Sequence, residues 1–523
     1  MDELLIWLVV GFFKLIFTVV RGFFRLIKRG LSSLSGAGES GKSASEPTRV
    51  LKGKQAKPAV TGTLNDTPKV LADLLPRAQK LIDRTAALAA TANKQGATLR
   101  FVPTLDELAS RTDRILVRLK RSDGKRDAYL RDLARDEALL EIVDVMVSER
   151  RGPLQGLLGD TDALASSAYA PIVEFCRNRG IPLSSDRAVT MVGGDKLFFL
   201  SVDDPSGLAA IVLPDDFTRS IVTWPAIAHE IAHDFFRSVT GLSDELRASL
   251  RLGTDLRASA VVAARVDPRE VAERSTAAWM EELFADAFGT MMMGPAYVRT
   301  MVSSFASPDE PARALAMMPV SNTGVPTYEE HPPGHVRVIV GCRLLSRMGY
   351  GKVADELEAN WRKRHGNPAQ VYAPTADKRW VSIAEDVVVA RAATVGETLY
   401  MTGLPSLRGQ PLRSIAGLDF GPREHQRALR IAERLGKGQP VRTADARVLV
   451  AGAVLATAEV PARAADIYAL AREAIVGIDV PRTAGIADAQ DEGPLGTVDG
   501  TALREAFILD ELLRGPVSRR NAH

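Results

Sequence analysis

Cysteine is almost missing from this chain. Cys176 and Cys342 are the two in 523 residues, too few for a disulfide framework, and a fold that does without one suits a reducing compartment. Net charge is scarce as well. Lys and Arg number 67 against 64 Asp and Glu, and the excess gathers at the N-terminus, so no electrostatic case for nucleic acid follows. No small-residue cleavage site follows the N-terminal apolar run and the residues before it are acidic, which weighs against a cleaved signal peptide. No period near 34 residues recurs, so a solenoid is not supported. Histidine is sparse too, with seven in all, and that makes their positions informative.

What is present is ordinary globular material, 46% apolar and 25% charged, in a length that allows two to four domains with a sizeable core. Residues 4–27 are apolar and long enough to cross a bilayer. On a helical wheel Gly11, Lys14, Thr18, Arg21, Arg25 and Lys28 form one narrow polar stripe. A span or deep anchor therefore competes with a helix lying in the membrane plane. Asp2 and Glu3 precede it and Arg21, Arg25, Lys28 and Arg29 lie towards its far end or just past it, so the positive-inside rule keeps the rest of the chain cytoplasmic. Residues 1–29 are thus expected to be a membrane anchor and 30–69, rich in Gly, Ser, Pro and Lys, a flexible linker.

That linker contains a trap. Gly36 to Ser43 matches the phosphate-loop pattern GxxxxGK[ST], but the pattern works only between a buried strand and a helix, and LSSLS and SASEP supply neither. Nucleotide binding is not expected there.

Residues 70–160 read as a helical region with helices at Val70–Ala92, Leu105–Arg121 and Arg126–Glu149, suited to a spacer or self-association. A helix over Ala163–Arg179 should end at Gly180. Short β-rich runs follow at Ala188–Val192, Lys196–Val202 and Ala209–Leu213. Residues 351–523 read as a helical C-terminal region, with helices at Val353–Lys363, Ile383–Thr394, His425–Leu435, Ala444–Ala458, Ala462–Val476 and Thr501–Leu513. Met291, Met292 and Met293 suggest core filler, and His365 and His425 surface positions.

The chemistry concentrates in 161–350. In Trp224 to Phe236, Ile227, Ile231 and Phe235 recur at helical spacing, with Thr223 as the expected N-cap and Pro225 in the first turn. His229 and His233 then stand one turn apart on one face, and Glu230 points beside them at a metal-bound water, the HExxH arrangement of a zinc site. Two histidines do not complete such a site. In the later segment Ala278 to Gly289, Glu282 and Asp286 share a helical face: Glu282 can be the third ligand and Asp286 can fix a histidine tautomer. The choice of Glu282 over Glu281 rests on register with Asp286, and a charged helix face is the plain alternative. A third cluster, His331-Pro332-Pro333-Gly334-His335-Val336-Arg337, offers an imidazole and a guanidinium for an oxyanion, or simply a structural turn.

HExxH, then ExxxD on a later helix, then a His-Pro turn with an Arg six residues beyond its His, resembles the gluzincin zinc metallopeptidases, particularly the small-core membrane-associated type, over roughly residues 185–345. The resemblance implies His229, His233 and Glu282 as zinc ligands, Glu230 as general base and Asp286 behind them, with His331 and Arg337 in the downstream turn. It also implies a polypeptide substrate met at the edge of a small sheet. The fold expected is α+β and mostly α-helical, a zincin-like core with a small β-sheet between helical flanks. Three functions stay open: a membrane-anchored zinc protease facing the cytoplasm, a catalytically silent zinc scaffold whose flanks bind a partner protein, and a membrane-acting effector that uses its N-terminal helix.

Overall fold

The helical periods between residues 70 and 150 become three helices. A computed structural model describes residues 67–94, 98–120, 126–183, 185, 187–193, 197–201, 208–252, 267–305, 319–320, 327–328, 331–374 and 380–476. All of these belong to one compact unit, 66–523. In it α1 (Thr67–Ala92), α2 (Val102–Lys120) and α3 (Arg126–Glu149) bury their leucines against one another, among them Leu81, Leu105, Leu108 and Leu133. Pro76 sits inside α1 without ending it. Next, α4 (Gln155–Arg179) stops at Gly180, whose φ of 62° is the left-handed cap expected from the sequence.

Three strands follow: β1 (Arg187–Val192), β2 (Phe198–Ser201) and β3 (Leu208–Leu213), in the spatial order β1-β3-β2. β1 runs parallel to β3, with Ala188 opposite Ala209, and β2 runs antiparallel, with Phe199 opposite Ile211. The unbroken apolar run Leu-Ala-Ala-Ile-Val-Leu belongs in the middle because both faces of β3 are covered. Leu208, Ala210 and Val212 join the core of α1–α3, whereas Ala209, Ile211 and Leu213 join the larger core beyond. Alternation along one strand thus joins two hydrophobic cores.

The outer edge of β1 is closed by side chains. Asp162 accepts from the Thr190 backbone N–H at 2.7 Å, Arg150 donates to the Thr190 carbonyl at 2.7 Å, and Glu149 accepts from the Val192 N–H at 3.2 Å. An edge treated this way cannot template another strand.

The larger core carries α5 (Ala226–Ser238), α6 (Leu242–Ser249), α7 (Pro268–Ala278), α8 (Met280–Met293) and α9 (Pro295–Phe305). After the short pair β4 (Pro319–Val320) and β5 (Thr327–Tyr328) come α10 (Gly334–Arg347) and α11 (Gly351–His365). The hairpin of β6 (Gln370–Pro374) and β7 (Trp380–Ala384) leads to α12 (Glu385–Met401), α13 (Pro422–Gly436), α14 (Ala446–Glu459) and α15 (Ala464–Val476). The class is α+β and mostly helical, as expected.

Several expectations change. Thr223 does not cap α5. It ends a 3₁₀ turn, its hydroxyl bonds the Ser220 carbonyl at 3.1 Å, and α5 begins at Ala226 behind Pro225. The helix expected from Ile383 starts at Glu385, because Ile383 pairs with Val371 in the hairpin. His365 and His425 are half-buried, His365 stacked on Trp361 with centroids 4.0 Å apart and His425 edge-on to Tyr350. Both cysteines are free and buried, and Met291–Met293 are core.

Residues 4–27 lie outside the described residues, and among the described residues no helix is long and apolar enough to cross a membrane. The transmembrane helix and the membrane-anchored, cytoplasm-facing location expected from the sequence are therefore withdrawn. The phosphate-loop match at Gly36–Ser43 and the helix expected at Thr501–Leu513 also lie outside the described residues.

Candidate metal centre

The centre is built where α5 lies on α8. Ile227, Ile231 and Phe235 face inward and are fully buried, which turns the opposite register of α5 toward α8. Phe236 meets Phe284 with ring centroids 4.9 Å apart, and Phe235 lies 6.1 Å from both Phe284 and Phe288. Each such ring, fully buried, is worth about 1.5–3 kcal/mol, so the seat is rigid. Trp224 fixes the entry to α5 through an indole N–H to the Phe217 carbonyl at 3.1 Å. Asp234 points the other way and accepts hydrogen bonds from Tyr169 and Ser238, tying α5 to α4.

On this seat His229 and His233 turn their Nε2 atoms to each other, 3.1 Å apart. Glu282 completes the group, with Oε2 3.4 Å from His229 Nε2 and Oε1 3.4 Å from His233 Nε2. All three residues are buried, and one ligand atom from each lies within 4.8 Å of the others. This is the cluster expected from the spacing, now brought together in space.

The other ring nitrogens decide what the cluster can bind. His229 Nδ1 is 3.1 Å from Asp286 Oδ1, and His233 Nδ1 is 2.9 Å from Glu281 Oε1. A carboxylate only accepts, so each Nδ1 carries a proton, and once a ring is neutral its Nε2 offers a lone pair. Two lone pairs and a carboxylate can then converge on one point, which a proton on His229 occupies in the metal-free chain. The point could hold a metal ion instead. The imidazole nitrogens stand 3.1 Å apart and each lies 3.4 Å from a different oxygen of Glu282, so the three residues surround one small site.

The electrostatics agree. Burial works to lower His229, but hydrogen bonds to Asp286 and Glu282 outweigh it and push the imidazole up to about 10. Burial likewise works to raise Glu282, yet His229, Arg337 and His233 hold its carboxyl well below the usual range. Both shifts express a point that wants positive charge.

No family model, curated protein or solved structure matches the chain. The centre stands on its own residues.

Glu230, next to His229, is buried, and among the described residues its carboxylate makes no hydrogen bond or ion pair. His331 is largely exposed, at 61%, with Nε2 3.6 Å from Glu282 Oε1, at the rim of the centre. Arg337 departs from the expected oxyanion role. It is buried, its Nε and Nη2 each reach Asp286 at 2.7 Å, and its guanidinium lies over the Phe305 ring at 4.8 Å. His335 turns away altogether, receiving the Trp361 indole N–H at 2.9 Å and donating to Glu385 at 2.9 Å.

Two neighbours escaped the sequence reading. The sequence presents Glu281 only as an alternative to Glu282; in the structure it holds His233 and is itself held by Arg237 at 2.7 Å. Neighbouring residues on a helix point about 100° apart, so one glutamate can face the centre while the next embraces it from the side. Tyr297, from α9, donates its hydroxyl to Asp286 at 2.6 Å and lies 3.1 Å from His229 Nδ1. No motif marks it, because it reaches the centre from another helix.

Proposed function

We propose that this chain is a zinc-dependent metallopeptidase of the gluzincin type. The observation that carries the reading is the convergence of His229 Nε2, His233 Nε2 and the Glu282 carboxylate on one buried point, with each imidazole backed by its own carboxylate. His229, His233 and Glu282 would hold the ion, leaving a position for water or substrate. A bound zinc ion supplies Lewis acidity, polarising the scissile carbonyl and making water a better acid.

The remaining work falls to side chains. Glu230 stands one residue from a ligand with no competing partner among the described residues, and as general base it takes a proton from the attacking water and later returns it to the departing amide nitrogen. His331, exposed at the rim, donates to the oxygen that gains charge as water adds. Arg337 is engaged with Asp286 and is not assigned that task.

A polypeptide substrate fits the sheet. Of its two edges, β1 is closed by Asp162, Arg150 and Glu149, while β2 packs beside α5. An extended peptide adding to β2 would lie along the metal helix.

The test is casein hydrolysis by the purified full chain with and without added zinc, and by its Glu230→Gln variant. The variant should retain bound zinc and lose hydrolysis. Activity retained by Glu230→Gln removes the base assignment, and stoichiometric zinc with no turnover on any peptide favours a silent scaffold.

A further inference from the structure

The outer shell of His229 contains more than a carboxylate. Tyr297 Oη and Asp286 Oδ1 lie equally far, 3.1 Å, from His229 Nδ1, and the Tyr297 hydroxyl donates to Asp286 Oδ1 at 2.6 Å. Nδ1 thus faces two oxygens that are bonded to each other: Tyr297 Oη in hydrogen-bond geometry and Asp286 Oδ1 as a close ion-pair contact. The charge contact alone would leave the imidazole free to rock. The directed bond to Tyr297 fixes its plane, and with it the direction of Nε2. The Tyr297 ring also runs nearly parallel to the imidazole, 13° between planes with centroids 6.5 Å apart.

The room for this ring comes from one residue. A Cβ built on Gly289 would stand 2.6 Å from Tyr297 Cε2 and 2.8 Å from Cζ, so no larger residue fits without moving the ring. Gly289 lies inside α8, where glycine is a poor helix former, and close approach accounts for it. A buried tyrosine usually finds some partner for its hydroxyl. Here that partner is the group that orients a metal ligand, and the helix carrying Glu282 and Asp286 is hollowed to admit it.

We propose that Tyr297 is a positioning residue for the metal centre, aiming the Nε2 of His229 by accepting its Nδ1 proton in a hydrogen bond while its own hydroxyl is anchored on Asp286, in a slot that Gly289 keeps open. This deepens the metal reading and rests on it. The effect belongs to metal affinity, since Tyr297 reaches the ion only through His229.

Metal-stripped full chain is titrated with zinc against a chromophoric chelator, and the visible bands of the cobalt-substituted protein report ligand geometry. Tyr297→Phe removes the hydroxyl, Gly289→Ala displaces the ring while keeping the hydroxyl, and Tyr350→Phe removes another buried hydroxyl bond, to the Phe420 carbonyl, away from the centre. Outer-shell losses weaken metals about 10–100-fold. Tyr297→Phe should therefore bind zinc about tenfold more weakly and shift the cobalt bands. Gly289→Ala should move both readouts the same way although alanine is the better helix former, and Tyr350→Phe should match the parent. Tyr297→Phe and Gly289→Ala within twofold of the parent overturn the proposal, as does an equal loss in Tyr350→Phe. If Tyr297→Phe does not fold, Gly289→Ala decides on the same criteria. A parent chain that binds no zinc overturns the metal reading underneath, a different result from parent binding without a Tyr297 effect.

Discussion

Arg337 grips Asp286 with two parallel bonds, Nε to Oδ2 and Nη2 to Oδ1, each 2.7 Å. Both residues are buried, and Asp286 turns on to His229. The arginine thus neutralises the carboxylate that orients a ligand. Breaking one side of such a buried pair leaves a charge uncompensated, at a cost of about 3–5 kcal/mol. Arg337→Met should lower unfolding stability by that amount and weaken metal binding in the absence of any substrate. Lysine should rescue only part, since an ammonium cannot make the two-pronged contact. An Arg337→Met protein with parental stability and metal affinity but impaired turnover would return this residue to the oxyanion role.

Glu282 and Glu281 are neighbours with separable places, the first facing the candidate ion site between the two imidazoles and the second on His233 Nδ1. Glu282→Ala should abolish stoichiometric zinc in atomic absorption of the dialysed protein. Glu281→Ala should keep zinc at saturation yet bind it about 10–100-fold more weakly, the usual cost of losing an outer-shell partner. The opposite pattern would move the third ligand by one position.

The metal-free chain should show a telling dependence on pH. His229 is pushed up to about 10 from 6.5, because hydrogen bonds to Asp286 and Glu282 overcome its burial. A folded-state value above the unfolded one means the folded protein holds the proton more tightly. The resulting stabilisation is complete below about pH 6.5 and is lost as pH rises toward 10. With chelator present, stability should fall through that window with a contribution approaching about 1.4 kcal/mol per pH unit. Saturating zinc displaces the proton and should remove that contribution. A flat profile with chelator would show that His229 holds no extra proton.

The candidate metal site was more legible in the sequence than its surroundings, for a physical reason. His229, His233, Glu282 and Asp286 act in pairs four residues apart, and helical spacing carries that relation directly. Glu281, Tyr297 and the pairing of Arg337 with Asp286 depend on how α5, α8, α9 and α10 pack, which no local period encodes. The same division holds for the fold. The cap at Gly180 and the bounds of α3 could be read from local patterns. The hairpin of β6 and β7 could not, since Ile383 followed by an apolar run fits a helix until its pairing with Val371 is seen. Thr223 shows a third case, in which a residue suited to capping α5 is used by a 3₁₀ turn just before it.

Asp162 offers a test of how the helical module is fastened to the sheet. It accepts from Arg150 Nη2 at 2.7 Å, Arg100 Nη1 at 2.9 Å, and both the backbone N–H and the hydroxyl of Thr190 at 2.7 and 2.8 Å. Arg150 is 2% exposed and reaches the Thr190 carbonyl as well. One carboxylate therefore neutralises a buried guanidinium and closes the edge of β1. Asp162→Asn keeps the shape but turns an amide donor toward donors and leaves Arg150 without its counter-charge, which should cost about 3–5 kcal/mol. With Thr190 held less firmly, the edge of β1 is left to Arg150 and Glu149, and the variant should also associate more readily than the parent. Chemical denaturation and light scattering on the same samples read the two effects. Parental stability in Asp162→Asn would show that Arg150 can be satisfied without it, and the proposed fastening would then have to lie elsewhere along α4.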